Sequence, residues 1–446
     1  MMHLNTVSAI VKQVQSLLGK NKLQLKFADV ICQQMSERTI LSLNYKDLHE
    51  FILILYDFFI VRHHNEDHFY LGAPQLSSVS LTNKFILKMS FPDADHLFIT
   101  IEEILRKHNL RTTRRLHPII GIKRNKNGTI TDIVSPTESD ERRSLIFIAF
   151  DSFMTEDQIK KVSADIKFHI SAVQQSHKDE QAILTTLDTV STQLSTCKAS
   201  VQDEWNDLLT WLKQQNFSFF GCHVLNTAKK TAAITERYGI CRKAIKIPTL
   251  ITLPDHIIDH ANHHPFIVDR TIISSPIQRF EPLMKISFKF ETVQYIFYGI
   301  LKRSSMYAKN IETPLIHKKM EYIFKKRQFL PKSYDYNEVI RIFNDIPKHE
   351  IFRLTKEELL DMVDFIMSIT NPNHIQCLKR YSVNKQQLKL YFVIPYYFFN
   401  PDTVQIISQY VCDLVPSAFK EILPIRAPEK CRIHFHFKLN GNDTLP

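Results

Sequence analysis

Val7, Ile10, Val11, Val14 and Leu17 recur at three- and four-residue intervals, and Leu48, Ile52, Leu55 and Phe58 repeat the pattern. That period puts each set on one face of an α-helix, so residues 1–73 are expected to form a helical N-terminal segment. The most apolar run, FILILYDFFIV from Phe51 to Val61, is too short to span a bilayer and is interrupted by Asp57. It reads as a buried helix. The start of the chain lacks a continuous apolar stretch, which argues against a cleaved signal peptide.

Residues 74–180 change pattern. Phe85 to Ser90 has strand character, and Asp95 to His108 is helical, with Leu97, Ile101, Ile104 and Leu105 on one face. LHPIIGIKRNKNGTITDIV reads as two strands turning at Asn127-Gly128. Leu145 to Phe150 is a further strand, and Thr155 with Gln158 opens a helix carrying Ile159, Val162, Ile166 and Ile170. The order β, α, β, β, β, α predicts an antiparallel sheet covered by helices, the ferredoxin-like form of an α+β unit. The Gln-, Ser- and Thr-rich residues 181–204 are expected to be a linker, either irregular or helical.

Residues 205–370 form a central mixed region, with a helix at Trp211-Leu212 and an aromatic strand from Phe217 to Val224. Strands are predicted at Lys246–Leu253, Phe266–Ile273, Met284–Phe290 and Thr292–Ile300, then a helix over PLIHKKMEYIFKKRQFL. Thr355 and Glu358 make a second capping box ahead of Leu359, Val363, Ile366 and Met367. Residues 371–446 read as a strand (Leu388 to Ile394), a helix entered at Asn400-Pro401, and a strand in which Ile433, Phe435 and Phe437 alternate with polar residues.

Composition narrows the chemistry. With 446 residues, 44% of them hydrophobic, the chain can build several cores. Its eight glycines, at 19, 72, 121, 128, 221, 239, 299 and 441, form no G-x-G-x-x-G or phosphate loop. G-x-S-x-G, H-E-x-x-H and EF-hand patterns are missing too. Seven dispersed cysteines without a CxxC pair predict a reducing, cytoplasmic setting. The net charge of +11 raises nucleic acid, anionic lipid or an acidic protein as partners. The cations fall in small groups, Arg111, Arg114 and Arg115, or Lys318, Lys319, Lys325, Lys326 and Arg327, which read as solvated faces. Nucleic acid is therefore disfavoured, and no membrane partner is expected.

Three histidine clusters invite a functional reading. In LPDHIIDHANHHP, His256 and His260 are four apart, near His263, His264, Asp255 and Asp259. That spacing secures only two zinc ligands, and a polar helix end is the simpler account. His434 and His436 alternate with apolar residues and are expected on the solvent face of the terminal strand. His349 and Glu350, in IPKHEIFRLTKEEL, would point to opposite sides of an extended segment, so they are expected to lead structurally into the capped helix. No catalytic, cofactor-binding or metal residue is assigned.

Short segments, in order, carry a resemblance. His117-Pro118, Lys123-Arg124 and Gly128 resemble "HP...RD..G"; Trp211, Leu212, Phe217, Phe219 and Gly221 resemble "WL...F.FLGY..Y". His263, Pro265 and Asp269 fall on "VHRP...D", Phe297 and Gly299 on "RF.GL", and Pro314, Leu315 and Lys319 on "IPLLRRK". Pro347, Glu350 and Phe352 match "PRDELFQ". From about residue 30 onward the chain thereby resembles the N-terminal, non-catalytic region of the large bacterial NAD-specific glutamate dehydrogenases. Lys348, His349, Ile351 and Arg353 depart from the last motif, and Tyr396-Tyr397 replaces an arginine-aspartate pair.

The resemblance implies tandem ferredoxin-like (ACT-type) antiparallel sheets with covering helices: an ACT-like domain over 74–180, a PAS-like and a second ACT-like segment within 205–370, and a third ACT-like domain over 371–446. It also implies homo-oligomerisation and an amino-acid effector. NAD belongs to the full-length family; no cofactor, and no dehydrogenase domain, is expected within these residues. The rival expectation, from charge alone, is an autonomous basic adaptor for nucleic acid or an acidic partner.

Overall fold

The apolar stripes legible in the sequence are buried against alternating layers of helix and sheet. The computed structural model describes residues 6–60, 68–73, 85–197, 199–228, 232–253, 266–369, 373–381, 387–415, 417–427 and 430–439. The cluster of His256, His260, His263 and His264 lies outside them.

Helices α1 (Val7–Leu18), α2 (Lys22–Gln34), α3 (Glu37–Leu41) and α4 (Tyr45–Ile60) bury Val14, Phe27, Ile52 and Leu55 on one face of a first sheet. Its strands are β1 (His68–Gly72), β2 (Phe85–Pro92), β3 (Thr112–Leu116), β4 (Ile119–Arg124), β5 (Ile130–Val134) and β6 (Glu141–Phe150). They pair in the order β1-β2-β6-β4-β5, with β3 also on β6, all antiparallel. Strand alternation divides β6 cleanly: Leu145, Phe147 and Ala149 face α1–α4, while Ile146, Ile148 and Phe150 face the other way. The N-terminal helices therefore share a core with this sheet. Strand β1 belongs to it as well, so the expected boundary at residue 73 falls at the end of the sheet's own first strand.

The second face of the sheet packs on α5 (Leu97–Lys107) and α6 (Glu156–Lys178). The predicted capping box opens α6: Thr155 Oγ1 accepts from the Gln158 N–H, and Gln158 Oε1 accepts from the Thr155 N–H. The expected linker 181–204 takes its helical form but is packed into the core. It lies in α7 (Glu180–Leu194) and α8 (Ala199–Trp211), with Ile183, Leu187, Val190 and Leu194 fully buried. The Thr-rich composition misled because Thr185, Thr186, Thr189 and Thr192 each donate to the carbonyl four residues back, satisfying their hydroxyls within the helix.

A second antiparallel sheet follows: β7 (Phe217–Asn226), β8 (Ala233–Gly239), β9 (Phe266–Ser274), β10 (Pro282–Phe290) and β11 (Val293–Leu301), ordered β8-β7-β11-β10-β9. The strand expected at Lys246–Leu253 is not formed. Pro248 opens a short helix, α9 (Pro248–Thr252), and Lys246 and Leu253 flank it with φ of 55° and 49°. One face of this sheet, with Phe220, Leu225, Ile296 and Tyr298, packs in the core that contains α5 and α6. The other, with Cys222, Ile286 and Phe297, lies in the core that holds α7 and α8.

Beyond α10 (Arg303–Tyr307), four helices build on that second face: α11 (Ile316–Arg327), α12 (Tyr334–Asp345), α13 (Lys348–Arg353) and α14 (Lys356–Ser368). A third antiparallel sheet closes over them, from β12 (Gln376–Tyr381), β13 (Gln387–Pro395), β14 (Ser417–Ile425) and β15 (Lys430–Leu439), ordered β12-β13-β15-β14. Its outer face, with Leu388, Leu390, Ile433 and Phe435, packs on α15 (Pro401–Leu414). The α+β class with antiparallel sheets and covering helices is thus the observed architecture. No described helix is long and apolar enough to cross a membrane.

One buried histidine makes this stack acid-sensitive. His223 on β7 is fully buried, its Nε2 accepting from Arg237 Nη1 at 3.3 Å, while Arg237 also donates to the carbonyls of Leu250 and Ile251. Burial, with Arg237 second, lowers its pKa to about 3. The unfolded chain takes up this proton near pH ~6.5. The contribution of His223 is therefore complete above that pH and is lost as pH falls from there towards about 3. The urea midpoint should drop across this window, and less steeply in His223→Gln; an equal slope would place the acid sensitivity elsewhere.

Candidate functional site

The densest set of buried charges lies where α13 is pressed between β9 and the inner face of the third sheet. Six residues make α13. Pro347 stands just before it with φ −57°, pre-set for helix entry, and its carbonyl accepts from the Glu350 N–H at 2.9 Å. So short a helix cannot stand alone, and side chains from its neighbours complete it. Lys319 of α11 donates Nζ to the carbonyls of Ile351, Phe352 and Leu354 at 2.8, 2.8 and 2.7 Å. Burial pulls this amine down to about 7. Three carbonyls around one nitrogen nevertheless call for three N–H donors, which only the ammonium has. At the other end, Lys348 Nζ donates to Ala308 O at 2.7 Å and Asn310 Oδ1 at 2.5 Å.

Glu350 is the hub. It is fully buried, and its Oε2 accepts from Arg353 Nη2. Oε1 lies 2.8 Å from His436 Nε2 and 3.7 Å from His434 Nδ1, both on β15. The 2.8 Å contact lacks hydrogen-bond alignment, leaving Glu350 Oε1, His436 Nε2 and both ring nitrogens of His434 without an aligned partner. Burial alone would raise the Glu350 pKa; His436 and Arg353 outweigh it and hold the carboxylate well below its ordinary range. Burial likewise keeps His434 neutral, at about 4. Burial lowers Arg353 as well, but Glu350 and Glu421 reverse that, and it stays charged.

The network continues outward. Arg353 Nη1 reaches Glu421 Oε2 on β14, and Arg270 on β9 stands 3.9 Å from Glu421 Oε1. Arg270 Nη1 also donates to His349 Nε2 at 3.2 Å, and burial followed by Arg270 drives the His349 pKa to about 3. Asp345 pairs with the buried Arg432 of β15 at 3.2 Å, and Glu358 of α14 with Lys389 of β13 at 2.5 Å. The pairs on α13 tie it to β9 and the third sheet, and those of Asp345 and Glu358 tie α12 and α14 to the same sheet. With Glu350 and His434 fully buried, the described structure gives no opening for a substrate to reach them as general acid or base.

The structure corrects the expected place of His434 and His436. They do not face solvent; with Arg432 they line the inner side of β15, at 0% and 7% exposure, because helices cover that face as α15 covers the other. The legible signal was next door. LKLYFVIP in β13 runs nearly continuously apolar, as a strand covered on both faces does. His349 and Glu350 are helical neighbours, not extended ones; they diverge as expected, His349 towards Arg270 and Glu350 towards β15. Lys319, expected on a solvated face, is buried.

Comparison with protein families bears on both ends of the stack. Residues 27–166 match the glutamate dehydrogenase ACT1 domain, and residues 313–371 match glutamate dehydrogenase helical motif 1. In these two segments the chain is similar to the ACT1 and helical-motif regions of glutamate dehydrogenases. No curated protein matches the sequence. The ACT1 segment runs from within α2 through α3, α4, the first sheet and α5 into the first half of α6, and helical motif 1 covers α11 to α14. Glu350, Arg353 and Lys319 therefore belong to the helical motif, while His434 and His436 lie outside both matched segments.

Proposed function

We propose that these residues form a regulatory and assembly region of a large NAD-dependent glutamate dehydrogenase. The full enzyme would convert L-glutamate, NAD and water to 2-oxoglutarate, ammonia and NADH, and the residues described here would not carry out the hydride transfer. The observation that supports this most is the placement of the two matched segments. The ACT1 region and helical motif 1 lie on opposite sides of the second sheet, and the third sheet is clamped to the motif through α13. The β8-β7-β11-β10-β9 order supports a PAS-like reading of the centre, and β13, α15, β14 and β15 an ACT-like reading of the last unit.

The purified chain, given glutamate and NAD, is expected to produce no NADH; sustained production would refute the proposal. Thermal unfolding against a panel of amino acids tests the regulatory part, since an effector raises Tm by mass action. A rise with one amino acid supports effector binding, whereas a flat panel leaves assembly alone. The basic-adaptor reading is weakened where Lys319, Lys348 and Arg432, counted in the +11, are buried in internal contacts.

A further inference from the structure

Glu350, His434 and His436 are all buried, and one ligand atom from each lies within 4.8 Å of the other two. We propose that these three side chains bind one divalent first-row cation of the zinc class, clasping the third sheet to α13.

Three observations support this site. First, the donor set is a carboxylate and two imidazoles, the combination that suits zinc and its neighbours. Bonds of about 2.0–2.2 Å in a tetrahedral arrangement place ligand atoms roughly 3.3–3.5 Å apart. The contacts of 2.8 and 3.7 Å from Glu350 Oε1 straddle that spacing. Second, the fold aims the ligands at one another. His434 and His436 are two apart on β15 and so share its inner face, and Glu350 comes from the helix opposite.

Third, the polar atoms on this spot lack aligned partners of their own. Glu350 Oε1, His436 Nε2 and both nitrogens of His434 stand without a hydrogen bond, an uncommon cost for buried groups. A proton shared by Glu350 and His436 would satisfy that one contact and leave the His434 ring stranded. A cation engages all three side chains together. Arg353, bonded to the other carboxylate oxygen, turns Oε1 towards the imidazoles, and its own charge is balanced by Glu421.

The test uses the full chain, stripped with a chelator, dialysed, and titrated with Zn²⁺ and separately with Co²⁺. One equivalent should bind, Tm should rise by a few degrees, and the Co²⁺ form should show the visible absorption of a low-coordinate nitrogen and oxygen site. The double variant His434→Gln/His436→Gln should lose that equivalent, whereas His256→Ala/His260→Ala should keep it. If the first variant does not fold, X-ray absorption of the Zn²⁺-loaded His256→Ala/His260→Ala chain decides, with two imidazoles and oxygen ligands expected. No bound equivalent in the stripped chain overturns the proposal. So does one that survives loss of His434 and His436, or one that disappears with His256 and His260.

Discussion

Replacing Glu350 with alanine is expected to destabilise the protein by about 3–5 kcal/mol, seen as a lower urea midpoint. The magnitude follows from what the substitution leaves behind. Arg353 is largely buried and divides its guanidinium between Glu350 and Glu421, with Asp269 contributing at longer range. Removing Glu350 leaves that cation short of a counter-charge where water cannot replace it. His436 loses its ion-pair contact in the same step. Breaking one partner of a buried pair costs far more than an exposed pair, for which about 0–1 kcal/mol is usual. Exposed pairs elsewhere, such as Arg106 with Glu103, should be nearly silent on substitution and provide the internal control. A loss of less than about 1 kcal/mol for Glu350→Ala would mean that water reaches the seam.

Lys319→Met should cost about 3 kcal/mol or more, although methionine preserves most of the stem and its packing. The loss arises at the C-terminal end of α13, where the carbonyls of Ile351, Phe352 and Leu354 would lose their common donor inside the core. A buried acceptor left unpaired costs roughly 1–3 kcal/mol, and three are affected together. Lys319→Arg should rescue poorly, because a planar guanidinium cannot direct its N–H groups at three oxygens around one point. Since Lys319 holds the helix that carries Glu350, the two substitutions act on one unit. Their combined effect in a double-mutant cycle should fall short of the sum, and strict additivity would separate the two ends of α13 energetically.

Much of the local structure was legible because it depends on neighbours in sequence. The helical stripe of α4, the hairpin at Asn127-Gly128 and the capping boxes at Thr155 and Thr355 all form where the pattern placed them. Misreadings arose where composition stood in for pattern. Thr and Ser in 181–204 suggested a linker, while the apolar stripe through Ile183, Leu187, Val190 and Leu194 was the better guide. Polar β8, with Thr235, Glu236 and Arg237, gave too weak an alternation to be recognised as a strand.

The candidate site was less legible, and the reason is geometric. Residue types and strand period put His434 and His436 on one face of β15, and Pro347 with Glu350 marked the entry to the helical motif. Whether that strand face met water or protein depended on α11 to α14 lying over it, contacts made across roughly eighty residues of sequence, as the Glu350–His436 pair shows. Short-range pattern and motif account for many of the helices, most strands, the α+β class and the similarity of two segments to glutamate dehydrogenase regions. Which charges are buried is set by tertiary packing, because burial is a property of the layer that covers a residue, and that layer comes from elsewhere in the chain.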